Sequence, residues 1–240
     1  MSTNKTASKL GKRNMGKEKK VSADSNGQDK LSRNKEESKT HVLNTFEEMI
    51  MKDGLDKTTI TGLSETSGTA ESLIYRYYHG KAGLIMALLK TAKYGILSDA
   101  DLRKLLSHHM ADNGIELYKL AVNFQFYHMN TNRFLREVHM MKLTDDSKLV
   151  SDIIDLKENF REKFLYIGND HFRNTSIDFP ASNAIIHSGL NHNALYAKNT
   201  HKPNVGFNMD SSYKRNRLLK AANNMYDLLY AQAKRDKLDN

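Results

Sequence analysis

The chain has 240 residues, with 37 Lys and Arg against 28 Asp and Glu, and its formal net charge of +9 favours a polyanionic partner. It has no cysteine, which excludes a disulfide framework and thiolate catalysis and agrees with a reducing cytoplasm. No apolar run approaches the ~18 residues of a membrane span, and the opening MSTNKTASKLGKRNMGKEKK lacks the apolar stretch of a secretory signal, so a cytoplasmic location without a membrane partner is expected.

Residues 1–35 are rich in Lys, Asn, Ser and Gly and nearly free of large apolar groups. Such a segment buries too little surface to offset its ordering entropy, which predicts a disordered basic arm. The arm either tracks DNA or is a solvated tail adding only a salt-sensitive attraction. Val42, Leu43, Phe46, Met49 and Ile50 then form a helical stripe, predicting helix one over 36–53 with Gly54 ending it.

Residues 58–84 read TTITGLSETSGTAESLIYRYYHGKAGL. Thr58 and Thr59 stand where a hydroxyl caps a helix start. Ile60 and Leu63 share one face of a short helix, and Gly68 suits its left-handed end. A second short helix spans Leu73 to Tyr78, with Ile74 and Tyr78 pointing inward. Glu71, Ser72, Leu73, Tyr75 and Arg76 are left on or near the outer face. Lys81 opens a fourth helix, expected to run to residue 97, with Leu84, Ile85, Leu88, Leu89, Ala92 and Ile96 on its stripe. This is the outline of a helix-turn-helix.

The window resembles the DNA-binding module of the tetracycline-repressor (TetR) family of transcription regulators. The resemblance rests on Thr58-Thr59-Ile60, Leu63-Ser64, Ser67-Gly68-Thr69-Ala70, Ser72, Ile74-Tyr75, Tyr77-Tyr78, Lys81 and Leu84, with Phe46 and Gly54 ahead of them. Thr69, Ala70 and Ser72 depart from the family's usual valine, capping serine and glycine. Alanine cannot cap, which typically costs about 1 kcal/mol unless a neighbour such as Thr69 takes over and moves the helix start by one residue. The resemblance implies a DNA-binding head over 36–97 and a helical effector-binding and dimerisation body over 98–240. It implies phosphate contacts from Thr59, Tyr77 and Lys81, and base contacts from Ser72, Leu73, Tyr75 and, around them, Thr69, Ala70 and Arg76.

Beyond residue 100 the apolar spacing stays at three and four, and with only two prolines in the chain this predicts an all-α fold. Leu102, Leu105, Leu106 and Met110 mark one helix, broken by Asn113-Gly114. Ile115 to Met129 marks the next, Thr131 to Leu143 a short one with Phe134, Leu135, Val138 and Met141, and Leu149 to Phe164 a long one that Asp145, Asp146 or Ser147 can cap. Pro180 suits the first turn of a helix reaching about 198, and Ser211 or Ser212 can cap the last. Small residues on the helix over 181–197 let another helix approach closely, and the last helix has an apolar stripe; both can complete the chain's own core, whereas the resemblance implies a four-helix interface between two copies. Ile186, Gly189, Leu190, Leu218 and Met225 are the candidates. A dimer matches a near-palindromic operator in double-stranded DNA. Phe124, Tyr127, His128, Phe160 and Phe164 are candidates for a plastic pocket holding an unknown small-molecule effector, and they suit an ordinary core equally well.

There is no phosphate-binding glycine loop, no Gly-x-Ser-x-Gly and no His-Glu-x-x-His, so neither an enzyme, a metal site nor a cofactor is expected. The sequence reads as a homodimeric DNA-binding regulator, a repressor released by its effector. The alternative is an architectural or partner-recruiting DNA-binding protein of the same fold without an effector. Deleting residues 1–33 is expected to lower DNA affinity and flatten its salt dependence in binding titrations. Unchanged affinity at low salt would remove the arm from the interface.

Overall fold

A computed structural model describes residues 21–95 and 97–239, with residues 21–33 described by backbone alone. The described elements are helices: α1 (Val21–Asp53), α2 (Ile60–Ser67), α3 (Glu71–Tyr78), α4 (Lys81–Leu89), α5 (Asp99–His108), α6 (Ile115–Thr131), α7 (Arg133–Thr144), α8 (Lys148–Leu165), α9 (Asn169–Phe172), α10 (Phe179–Thr200) and α11 (Ser212–Asp239). Short 3-10 turns at Ala92–Tyr94 and Tyr166–Gly168 complete them.

The head is built on α1. Val42, Phe46 and Ile50 recur every four residues and are buried against Leu55, Leu63 of α2, Ile74 of α3 and Leu84, Ile85, Leu88 and Leu89 of α4. Gly54 stops α1 in the left-handed region, at φ +96°, its N–H donating to the Ile50 carbonyl at 2.9 Å. At Gly83, α4 passes so near the end of α3 that a Cβ would overlap the Tyr78 carbonyl.

The body is centred on α6, α10 and α11. Tyr118 stacks on Tyr226 with ring centroids 6.2 Å apart, and Phe172 stacks on Phe179 at 4.2 Å. Buried tyrosine hydroxyls need partners, and these have them. Tyr226 donates to Asn183 Oδ1 at 2.7 Å, Tyr230 to the Asn113 carbonyl at 2.7 Å and Tyr118 to the Phe164 carbonyl at 2.9 Å.

Head and body meet at α7. Phe134, Leu135 and Val138 of α7 and Ile153 of α8 belong to the same apolar core as α1 and α4. Arg133 donates to the Lys52 and Asp53 carbonyls at 2.9 and 3.1 Å, covering the C-terminal end of α1. Its Nε also donates to Glu137 Oε1 at 2.7 Å, and Glu137 Oε2 accepts the Leu55 N–H at 2.5 Å.

Three boundaries differ from expectation. Residues 21–35, expected to be a disordered arm, belong to α1, and residues 1–20 lie outside the described residues. Once the packed segment holds the helix, each further residue costs little, and Ala23, Gln28, Lys30, Leu31 and Arg33 are good helix formers. Helix α3 begins at Glu71, two residues before Leu73. Helix α4 ends at Leu89, well short of residue 97. Thr91 turns extended, with ψ 147°, and its hydroxyl donates back to the Leu88 carbonyl at 2.8 Å. Ala92, expected on the stripe, is exposed. Tyr94 turns inward instead, donating its hydroxyl to Glu47, which also accepts from Lys93 Nζ at 2.6 Å. Ile96 lies outside the described residues.

Arg133→Ala is expected to lower unfolding free energy in urea by about 1–2 kcal/mol, since it uncovers two helix-end carbonyls and leaves Glu137 with the Leu55 N–H alone. Lys148→Ala, at an exposed pair with Asp152, should change it by less than about 0.5 kcal/mol.

Candidate nucleic-acid interface

Thr59 is the N-cap of α2: its backbone is extended at φ −109° and ψ 159°, and its Oγ1 accepts the Gly62 N–H at 3.1 Å. Gly68 closes α2 in the left-handed region at φ +66°. The turn is tied down at Ser67, whose carbonyl lies 3.1 Å from His41 Nε2 of α1 and whose hydroxyl accepts the Thr69 N–H at 3.3 Å.

Helix α3 is held from behind. Ile74 is fully buried, and Tyr78 donates its hydroxyl to the Lys39 carbonyl at 2.8 Å. Burial, with Glu36 and Tyr77 adding to it, pushes the Tyr78 hydroxyl up to about 12, so it stays a donor at neutral pH. The outer side of α3 carries Ser72, Tyr75 and Arg76, all exposed, with Tyr75 showing 51% of its surface to solvent. Their spacing of three and four places them in one row. His79, exposed at the left-handed C-cap with φ +58°, extends that row by one further turn. Its i+7 spacing from Ser72 was the signal for it in the sequence. Arg76 lies over the Tyr77 ring at 5.8 Å, and Leu73, Tyr77 and Thr69 are half-buried.

Ala70 stands at the capping position as expected, and Lys81 opens α4 but also bonds within the head. Ala70 is the N-cap of α3 without any side-chain cap, and Thr69 does not replace it. Lys81 reaches inward and donates to the Leu55 carbonyl at 2.6 Å, so one of its three N–H groups is used within the head.

No protein-family model matches the chain, and no curated protein is significantly similar to it in sequence. Among solved structures, the fatty acid degradation regulator FadR from Bacillus halodurans superposes with a TM-score of 0.54 and 15% identity, over 78% of this chain and 96% of that one. This chain shares the all-α fold of that protein. At this identity the likeness concerns the fold alone.

The five candidate pocket residues fall into two groups. Phe124, Tyr127 and His128 lie together on α6, with Phe124 and His128 ring centroids 4.2 Å apart. They sit beside Gly95, near the head. Phe160 and Phe164 pack on each other at 4.9 Å on α8. Two open surface hollows, beside Glu36 and His41 and between α5 and α8, include none of the five. Tyr127 and Phe124 are exposed, and His128 Nδ1 is buried without a partner. Burial first, and Lys93 next, lower the His128 pKa.

The candidate interface residues also divide. Ile186 and Leu190 are buried in the body's own core, and Leu218 packs against it, so their side chains are occupied within one chain. Gly189 has open space above it, and Met225 is exposed. The outward row of α10 is Ala181, Ile185, Ser188, Gly189, His192 and Tyr196, and α11 adds Met225 and Leu228. Ile185 is 73% and Leu228 65% exposed. The sequence signal for this face was the run from Pro180 to Ala197 without an acidic or lysine or arginine side chain, and with Ile185 next to Ile186, so that apolar groups fall on both sides of the helix.

Ala70→Ser is expected to raise stability by about 1 kcal/mol in denaturant titrations, because it supplies the missing cap of α3. No gain would mean that the first N–H groups of α3 are already satisfied.

Proposed function

We propose that the chain is a homodimeric, sequence-specific DNA-binding transcription regulator of the tetracycline-repressor type, acting as a repressor that a small effector releases. The observation that carries this reading is the rigid presentation of Ser72, Tyr75 and Arg76 on the outer side of α3, behind which Ile74 and Tyr78 fix the helix. With α3 in the major groove, Ser72, Tyr75 and Arg76 read base edges, and Leu73 touches a thymine methyl. Thr59, Tyr77 and the two remaining N–H groups of Lys81 meet phosphates on either side. The uncapped N–H groups at Ala70 favour a phosphate at the same end.

The exposed row of α10, with Met225 and Leu228 of α11, is the self-complementary face that joins two copies, so that two heads meet two half-sites. Coupling to an effector runs through α7. It closes the end of α1 with Arg133 and lies against α6 and α8 in the body, so two arrangements of the body give two spacings of the heads.

Selection of genomic fragments by the purified chain near physiological salt, followed by sequencing, is expected to recover a few discrete near-palindromic sites. On such a site Tyr75→Ala should weaken binding by about 1–3 kcal/mol. A double substitution Ile185→Glu, Leu228→Glu should sediment as a monomer and lose affinity for the full site. Diffuse recovery lost with modest salt would instead favour the architectural reading without an effector, and a monomeric unsubstituted chain would remove the dimer.

A further inference from the structure

The positive charge of the chain is concentrated in two stretches. Residues 198–220 carry Lys198, Lys202, Lys214, Arg215, Arg217 and Lys220 against Asp210 alone, which is more than half of the net +9. Outside this stretch and residues 1–35, acidic residues outnumber basic ones. The stretch comprises the end of α10, the start of α11 and the turn between them.

That turn is closely held. Asn204 and Phe207 exchange backbone hydrogen bonds at 3.1 and 2.8 Å across Val205 and Gly206, both in the left-handed region at φ +46° and +80°. Asn204 Nδ2 donates to Asn193 Oδ1 of α10 at 3.1 Å, and Lys214 Nζ of α11 donates to the Gly206 carbonyl at 2.5 Å. Arg215 donates to the Met209 carbonyl, and Lys198 pairs with Asp210 at 3.3 Å. Three cations are left over. Lys202, Arg217 and Lys220 are exposed and meet no carboxylate among the described residues. Arg217 Cζ lies 5.4 Å from the centre of the Phe207 ring and 5.9 Å from that of Tyr213. Ring contacts of this kind position a guanidinium without using its N–H groups.

The turn stands at the head end of the body. The start of α10 lies at the opposite end, where Phe179 meets Tyr118 of α6 at 4.7 Å and Asn183 accepts from Tyr226 of α11 at 2.7 Å. The end of α10 reaches α7, with Asn199 Nδ2 donating to Met140 Sδ at 3.4 Å, and α7 is the helix whose first residue covers the end of α1. In the proposed dimer α10 and α11 line the two-fold axis, so the turns of both copies stand beside that axis and between the two heads.

We propose that this surface is a second DNA contact, in which Lys202, Arg217 and Lys220 of both copies hold phosphates of the duplex between the two half-sites. It rests on the DNA-binding reading above and gives the body its own part in it. Heads placed in two major grooves bring the intervening backbone beneath the axis, which selects double-stranded DNA as the polyanion. Phosphate contacts carry no base information, so the surface adds affinity on any sequence.

The triple variant Lys202→Gln, Arg217→Gln, Lys220→Gln tests this against Lys234→Gln, Arg235→Gln, Lys237→Gln, which has the same net charge but is altered at the other end of α11. Binding of the full chain to a recovered site and to a random-sequence duplex is measured across salt concentrations. Each phosphate contact steepens the logarithmic salt dependence by about 0.9, so the first variant should flatten it by about 3–5 on the recovered site and bind at least about tenfold more weakly near physiological salt. The second should stay close to the unsubstituted chain. Hydroxyl-radical cleavage should show the backbone between the half-sites protected by the unsubstituted chain and open with the first variant. The double variant Lys202→Gln, Lys220→Gln keeps Arg217 on its rings, and it carries the same test if the triple variant lowers the thermal midpoint.

Equal salt slopes in the two triple variants, or an unprotected backbone between the half-sites, would overturn the surface. Retention on phosphatidylglycerol vesicles that the first variant loses while keeping its DNA slope would make the partner a lipid surface and overturn it too. Tyr75→Ala separates this surface from the head, because it weakens the recovered site alone. Random-duplex binding that the first variant loses, with no discrete site recovered, would keep the surface and remove the sequence-specific reading. A site that depends on Tyr75 with equal salt slopes would do the reverse, and no binding to any DNA at low salt would remove both.

Discussion

The structure depends on the contact between the end of α1 and the start of α7. The last carbonyls of a helix have no partner within it, and a planar guanidinium with several donors can take two at once. Arg133 does this at Lys52 and Asp53, while Glu137 takes the N–H of Leu55 just beyond the turn. Exposed ion pairs are worth little alone. This one lies over Phe134 and Val138, both fully buried among the residues of α1 and α4. Packing therefore holds the joint and the polar groups set its register. Asn132 adds a second tie: its Oδ1 caps α7 by accepting the Leu135 N–H at 2.9 Å, and its Nδ2 approaches the Tyr94 hydroxyl at 3.4 Å. Tyr94 in turn donates to Glu47 of α1. The short α4 thus leaves the head anchored to the body by α7 and by the turn that carries Tyr94, with no long linking helix between them.

Such a joint fixes where α3 points. Helices of eight residues are too short to persist on their own, so α2 and α3 depend on tertiary contacts. Those contacts all lie on one side. Ile74 fills the core, the Tyr78 hydroxyl bonds the backbone of α1, and Gly83 lets α4 close against the Tyr78 carbonyl. The opposite side is left with polar and aromatic groups on a rigid support, which lowers the ordering cost of any contact made there. The start of α3 has no side-chain cap, and an anionic partner at that end would compensate for it.

Local chemistry was legible in the sequence wherever it acts within a few residues. Thr59 caps, Gly54 and Gly68 terminate, Asn113-Gly114 breaks, Ser147 caps and Pro180 begins a helix, because a hydroxyl, a missing Cβ or a fixed φ has its effect in place. The positions that escaped are decided by distant partners. Ile185 and Ile186 are adjacent and equally apolar, so spacing cannot say which one faces Tyr226 and which faces outward. The end of α4 follows from Tyr94 finding Glu47, 47 residues back, and the inward turn of Lys81 from the Leu55 carbonyl. Phe124 and Phe160 both suit a pocket by composition, yet they stand beside different parts of the body.

Helix α7 brings these observations together. Its 12 residues carry Arg133 and Glu137 at one end and His139 and Lys142 toward the other. A helix of that length spans about 18 Å and behaves as a stiff rod. Its first turns are packed into the head and its later turns lie against α6 and α8 of the body. Because the rod is stiff, a shift of the body against its later turns is felt at Arg133, and so at the end of α1 on which the head is built.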